Sequence, residues 1–227
     1  MSRYSRYEGL LSEDQLRSQN ALIIGVGSIG RQVAITLATI GFGRIILVDP
    51  DTVEDVNLGT QGYCPRDIDM EKVHATADII EEINPDMTCH CIPKRMTQRI
   101  IERLTERDII PTCVFMCIDT LRDRLFLWKR IFKEYHVPYI DGRMAVENLR
   151  ILSILNADQE TYDHYEETLT DADEQFEGRC TEKSTYYCAN IAAGIMIAQY
   201  LKYLRSLLVP RDIMFDIRTD ILSIIKD

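Results

Sequence analysis

The run Gly25-Val26-Gly27-Ser28-Ile29-Gly30 has the residue types and spacing of a phosphate cradle. Its first glycine permits a tight turn, the second lets backbone approach a phosphate, and the third lets a helix pack on a strand. A helix opening there offers unpaired N–H groups and a partial positive charge to an anion. Asp49 stands about 20 residues further on, where an acid accepts hydrogen bonds from a ribose diol. Loop and acid together suit a nucleotide, and taken alone they fit NAD as well as ATP. The four histidines, His74, His90, His136 and His164, show no paired spacing, and none is assigned a catalytic role.

These residues need elements to position them, and the apolar pattern supplies them. Residues 20–25 read as a buried strand entering the glycine turn, and Ile29, Val33, Ala34, Leu37 and Ile40 recur at helical spacing. Arg44 to Asp49 is a second buried strand with the acid at its carboxyl end, completing one βαβ unit. The alternation continues with a helix over 71–83, a strand over 87–92, a helix over 97–104 and a strand over 112–118. A helix over 122–135 and a short strand over 137–141 follow. Strands alternating with helices predict an α/β, Rossmann-like, mostly parallel sheet flanked by helices. Beyond Gly142 the rhythm changes: a strand over 147–155, a helix over 186–208, and a terminal strand pair at 213–217 and 221–225. These form an antiparallel C-terminal extension. Leu10, Leu11 and Leu16 mark a short amphipathic helix ahead of the first strand. The whole of 1–227 reads as a single domain, with a long acidic crossover loop at about 156–185.

Composition limits the function classes. The chain has 227 residues, of which 46% are hydrophobic and 27% charged, which suits a soluble globular domain. Its net charge of −10 leaves little basic surface for displacing counterions, so no nucleic-acid partner is expected. The longest apolar stretch, 189–204, is interrupted by Asn190, Gln199 and Lys202 and reads as a buried helix, so no membrane association is expected. Residues 1–7 lack the apolar run of a signal peptide. Seven cysteines, an odd number, then imply free thiols in a reducing cytoplasm. Cys89-x-Cys91 and Cys113-xxx-Cys117 lie in apolar β-rich runs and read as buried small hydrophobes, so no structural zinc is expected.

A longer ordered set of motifs narrows the nucleotide. It comprises Arg3-Tyr4-Ser5-Arg6 before the first strand and Asp49-Pro50-Asp51 with Asn57-Leu58-Gly59-Thr60-Gln61. Glu71-Lys72-Val73 then opens a helix, followed by Cys117-Ile118-Asp119 and Val137-Pro138-Tyr139-Ile140-Asp141-Gly142. Over residues 3–155 the chain closely resembles the ThiF/MoeB family of adenylyltransferases, relatives of the enzymes that activate ubiquitin-like proteins. The resemblance implies attack of a carboxylate on the α-phosphate of ATP, giving an acyl-adenylate and pyrophosphate. It implies a small ubiquitin-like or sulfur-carrier protein as partner, and a homodimer.

Carried over position by position, the resemblance places the nucleotide on Gly25, Gly27, Ser28, Gly30, Asp49, Asp51, Asn57, Gln61 and Lys72. Asp49 takes the ribose, Asn57 and Lys72 the phosphates, and Asp119 organises Mg²⁺. Arg6 corresponds to an arginine supplied across a dimer interface to the triphosphate. Cations aimed at a triphosphate lower the barrier to its displacement, and Mg²⁺ is often held by one or two carboxylates. Each residue also has a plainer reading: Lys72 as a surface lysine, Asn57 as a cap for the turn at 57–62, Asp119 as a helix N-cap, and Arg6 as a surface arginine. One departure stands out, because Thr60 occupies the place of an arginine in the family pattern Asn-Leu-x-Arg-Gln. Arg31, just after Gly30, is expected to replace that charge, with Arg66 as the other candidate.

Many activators of ubiquitin-like proteins pass the acyl group to a cysteine. Cys180 follows the acidic segment where relatives carry a crossover loop, and its Cys-Thr context matches several of them. Arg179 favours its thiolate, while Glu177 and Glu182 oppose it. Cys188 reads as structural, and Cys64 as an outside alternative. Arg143 is either a bidentate ligand for a substrate carboxylate or a partner of the acidic loop. Three other functions compete: adenylation of a peptide or nucleoside, a noncatalytic scaffold, and a nicotinamide oxidoreductase. The last leaves Asn57, Lys72 and Asp119 unexplained.

Overall fold

The structure is a computed structural model that describes residues 7, 9–156, 158–170 and 185–225. Five strands run parallel: β1 (Asn20–Ile24), β2 (Arg44–Val48), β3 (Thr88–Ile92), β4 (Cys113–Met116) and β5 (Tyr139–Ala145). β6 (Asn148–Ile154), β7 (Asp212–Asp216) and β8 (Ile221–Ile225) extend the sheet in antiparallel fashion. The order across the sheet is β3-β2-β1-β4-β5-β6-β7-β8. The chain therefore travels outward from β1 to β3, then returns to the opposite side of β1 as β4. Loops leaving β1 and β4 part there and open a crevice at the carboxyl edge, the usual ligand site of an open α/β sheet.

Both faces of the parallel strands are covered, as their continuous apolar character demands. Ala21 and Ile23 of β1 pack on one side with α2 (Ser28–Ile40), α4 (Lys72–Ile83) and α9 (Tyr186–Leu204). Leu22 and Ile24 pack on the other with α5 (Gln98–Glu106), the Leu121–Tyr135 segment and α8 (Gln159–Thr170). Trp128 anchors that second layer, its ring edge-on to Tyr162 and Tyr165 and tilted against Tyr139. The short α1 (Glu13–Arg17) is closed by a capping box between Ser12 and Gln15. It buries Leu16 at the rim of the first layer.

Several expectations are corrected. The acidic stretch anticipated as a loop over 156–185 contains α8, which places Tyr162, Tyr165 and Leu169 in the core. Acidic residues lie between these apolar positions, so the segment is amphipathic rather than irregular. The turn anticipated at 57–62 is instead the last part of α3 (Asp55–Gln61). The helix anticipated over 122–135 comprises α6 (Leu121–Leu127), a π-helical turn (Trp128–Phe132) and α7 (Lys133–Tyr135). Among the described residues, no helix is long and apolar enough to cross a membrane.

Candidate active site

The glycine loop is held by contacts that only glycine permits. Gly25 has φ +88°, and a side chain there would meet the Cys117 carbonyl oxygen at 2.7 Å. A Cβ on Gly30 would sit 1.8 Å from the Gly25 carbonyl oxygen. The loop thus folds tightly back onto α2 and lies directly against the end of β4, where Cys117 N–H donates to Ile24 O at 2.8 Å. Gly27 caps α2 without a side chain, and Ser28 opens the helix; both are partly exposed. The first-turn amides of a 13-residue helix therefore face the crevice.

Asp49 ties the second strand to this loop. One carboxylate oxygen accepts from the Val26 amide at 2.6 Å and the other from the Asp51 amide at 2.8 Å. Burial is the main influence on the acid and raises its pKa, while those two amides and nearby Lys72 pull it back. Asp51 then turns to α4: its carbonyl accepts the Lys72 amide at 2.9 Å, and its carboxylate holds Lys72 Nζ at 3.1 Å. Lys72 is not a solvated surface lysine, since its side chain is 8% exposed whereas that of Asp51 is 61% exposed. The ammonium is embedded, and its counter-ion lies toward solvent.

Two further elements close the crevice. On α3, Asn57 Oδ1 accepts from the Glu54 amide at 2.9 Å, so this buried side chain closes the N-terminus of α3 and not the turn expected at 57–62. Gln61 ends α3 with its side chain about 3.8 Å from where a Cβ on Gly27 would stand. Opposite, Asp119 follows β4 and is exposed. The helix cap expected of Asp119 belongs to its neighbour: Thr120 Oγ1 accepts from the Asp123 amide. Asp119 is left facing solvent beside the loop. Among the described residues no group of three or more His, Cys, Asp and Glu could hold a metal ion. A site built on one protein carboxylate plus ligand phosphates suits Mg²⁺ and needs no such cluster.

The structure therefore brings Gly25, Gly27, Ser28, Gly30, Asp49, Asp51, Gln61, Lys72 and Asp119 to one edge of the sheet, with Asn57 on the adjoining helix. Arg31 lies one turn into α2, buried, with its guanidinium 4.4 Å from the centre of the Tyr63 ring. Arg66 is exposed and paired with Glu82 at 3.2 Å. Arg143 is placed differently from a substrate ligand. It is buried and donates to Asp141 at 3.0 Å, and to the Thr168 carbonyl and hydroxyl of α8 at 3.0 Å each. With its fork committed to protein groups, the carboxylate-binding reading of Arg143 finds no support in this geometry. Arg6 and Cys180 lie outside the described residues. Cys188 is buried, and burial pushes its thiol up to about 11, as suits a structural residue.

Two residues went unnoticed in the sequence. Tyr63 donates its hydroxyl to the Val26 carbonyl at 2.7 Å, bracing the glycine loop from below. Its only signal was its place between Gly62 and Cys64. Arg124 is buried beside Asp141 and donates to the carbonyls of Ile118 and Gly142. It thereby fixes the backbone just before Asp119; a lone helical arginine gave no hint of this.

A family model described as the ThiF family matches residues 4–218. The chain belongs to the ThiF family. Among curated ThiF relatives, it is 33% identical over 148 residues to molybdopterin-synthase adenylyltransferase of Haemophilus influenzae, covering 62% of this chain and 58% of that protein. It is 27% identical over 125 residues to ubiquitin-like modifier-activating enzyme 5 of Arabidopsis thaliana, covering 49% of this chain and 29% of that protein. The chain thus spans less than two thirds of the length of either. In fold it is similar to Escherichia coli MccB solved with ATP, with a TM-score of 0.76 and 20% identity, covering all of this chain and 71% of MccB.

Proposed function

We propose that this chain activates a carboxylate by adenylation with ATP. The carboxylate is the C-terminus of a small ubiquitin-like or sulfur-carrier protein. The observation that carries this reading is the Asp49 node. One buried carboxylate braces the glycine loop through Val26 and also holds Asp51, which in turn holds Lys72. A ribose acceptor, a bed of helix amides and an ammonium are thereby linked at the mouth of the crevice. The names of the two curated relatives, an adenylyltransferase and an activating enzyme, support the same chemistry, as does the ATP bound to the structurally similar MccB.

In this mechanism a carboxylate oxygen attacks the α-phosphorus, and the bond to the bridging oxygen of the departing pyrophosphate breaks. The α2 amides and Lys72 stabilise the phosphate oxygens as charge shifts onto the leaving group. Lys72 leaves Asp51 for the phosphates, a short move because Asp51 lies at the solvent boundary. Asp119 would hold Mg²⁺, which would supply further neutralisation of the phosphates. The finer step is transfer of the acyl group to Cys180: the thiolate attacks the adenylate carbonyl, a C–S bond forms and AMP departs. Cys180 precedes Thr185 by five residues in sequence. The Tyr186 ring then lies against Gly62, directly after Gln61, so the chain enters α9 beside the nucleotide crevice.

The test is carboxylate-dependent exchange of labelled pyrophosphate into ATP, using candidate carrier proteins and their C-terminally truncated forms. Exchange with intact carriers alone is the expected result. A thiol-labile carrier adduct should survive Cys188→Ala and be lost in Cys180→Ala. A noncatalytic nucleotide-binding scaffold is the second reading, favoured by Thr60, whose hydroxyl is spent on the Val56 carbonyl at 3.0 Å and brings no charge. ATP binding without exchange for any carrier would establish it.

A further inference from the structure

Arg31 is a buried cation without an anion. Its residue is 3% exposed, yet among the described residues it forms no ion pair, and its Nε has no hydrogen-bond acceptor. Its one recorded partner is the face of Tyr63. Other buried guanidiniums are treated differently: Arg143 is bonded to Asp141 and Thr168, and Arg124 to Asp141 and two carbonyls. A desolvated charge is costly unless something compensates it, and a cation–π contact returns only part of that cost. The balance remains unfavourable until an anion arrives.

The surroundings indicate where that anion sits. The Arg31 amide donates to Gly27 O at 3.1 Å, one helical turn from the loop. Tyr63, beneath the guanidinium, is tied through its hydroxyl to Val26 O. Gln61, whose side chain lies against Gly27, is tied to α2 through its backbone carbonyl, which accepts from Gln32 at 3.2 Å. The unpaired Arg31 guanidinium thus flanks the N-terminus of α2, among elements that the Tyr63 and Gln32 bonds hold in place.

We propose that Arg31 is a phosphate-binding residue of this site, a cation held ready by Tyr63 and satisfied by the nucleotide's phosphates. This rests on the nucleotide reading above. It makes Arg31 the counterpart of Lys72 within the same crevice, and it gives the buried charge a purpose that the ligand-free fold does not. Because the charge costs stability without ligand, its removal should not weaken the ligand-free protein.

The experiment measures Kd by calorimetry for ATP and for adenosine, with wild type, Arg31→Met and Arg31→Lys, alongside Tm without ligand. Expected is a loss of ATP affinity of about 10- to 100-fold in Arg31→Met, the scale of a charged hydrogen bond. Adenosine affinity should stay within about twofold, ligand-free Tm should equal or exceed wild type, and Arg31→Lys should recover part of the ATP affinity. ATP affinity unchanged in Arg31→Met overturns the proposal, as does equal weakening of ATP and adenosine, which marks a structural role. Wild type failing to bind ATP overturns instead the nucleotide reading on which the proposal stands.

Discussion

At the scale of single residues the site depends on how Asp49 and Lys72 influence one another. Burial raises the Asp49 pKa, and the Lys72 charge opposes that rise. On the proposed reading the ionised Asp49 accepts ribose hydroxyls, so ATP affinity should fall as pH drops through the acid's pKa, which burial raises from its ordinary value. The sign for stability is opposite: the fold favours the protonated acid. That contribution is fully present below the unfolded pKa and is lost as pH rises through the folded one. Lys72→Ala should cut pyrophosphate exchange by about 10²–10³-fold, as loss of a preorganised charge-stabilising donor does. It should also move the acid limb of ATP binding upward. Calorimetric titration of ATP binding from neutral to acid pH reads both effects; an unmoved limb would detach Asp49 from it.

At the scale of elements, the glycine loop and α8 do different work. A methyl on Gly30 would overlap the Gly25 carbonyl oxygen, and the loop must open to admit it. Gly30→Ala should therefore cost about 1–3 kcal/mol, typical of overpacking, and abolish measurable ATP binding even where the protein remains folded. Urea unfolding with calorimetry separates the two losses. α8, by contrast, is held through Arg143 to β5. Arg143→Ala should cost up to about 3 kcal/mol, reduced because Asp141 keeps Arg124 as a partner. ATP affinity and the carrier KM should remain within about twofold of wild type once folding is allowed for. A raised carrier KM with unchanged stability would restore the carboxylate-binding role that the geometry withholds.

For the molecule as a whole, the antiparallel extension ends in an apolar edge. Ile221, Leu222, Ile224 and Ile225 of β8 are exposed, with Met214 of β7 beside them, and neither lysine nor proline interrupts β8. Such an edge invites pairing with another chain. Where the chain self-associates through this edge, Leu222→Lys should reduce that association in sedimentation velocity, leaving ATP affinity intact because the proposed nucleotide crevice lies away from β8, by β1 and β4 in the middle of the sheet. Association that persists unchanged would place self-contact elsewhere.

The parallel order of elements, the glycine loop and the acid after β2 were legible in the sequence because they rest on local rules. These are the period of apolar residues, the space glycine leaves for backbone, and the placing of an acid at a strand end. α8 was not legible, since its acidic surface outweighs the few apolar positions that bind it to Trp128. The partners of charged side chains were also decided only in three dimensions. Lys72 and Asp51 are 21 residues apart, and Arg143 and Thr168 are 25 apart. Nothing in the spacing of such pairs distinguishes a guanidinium committed to a carboxylate from one, like Arg31, left facing a ring. Burial and distance make that distinction, and both exist only once the chain has folded.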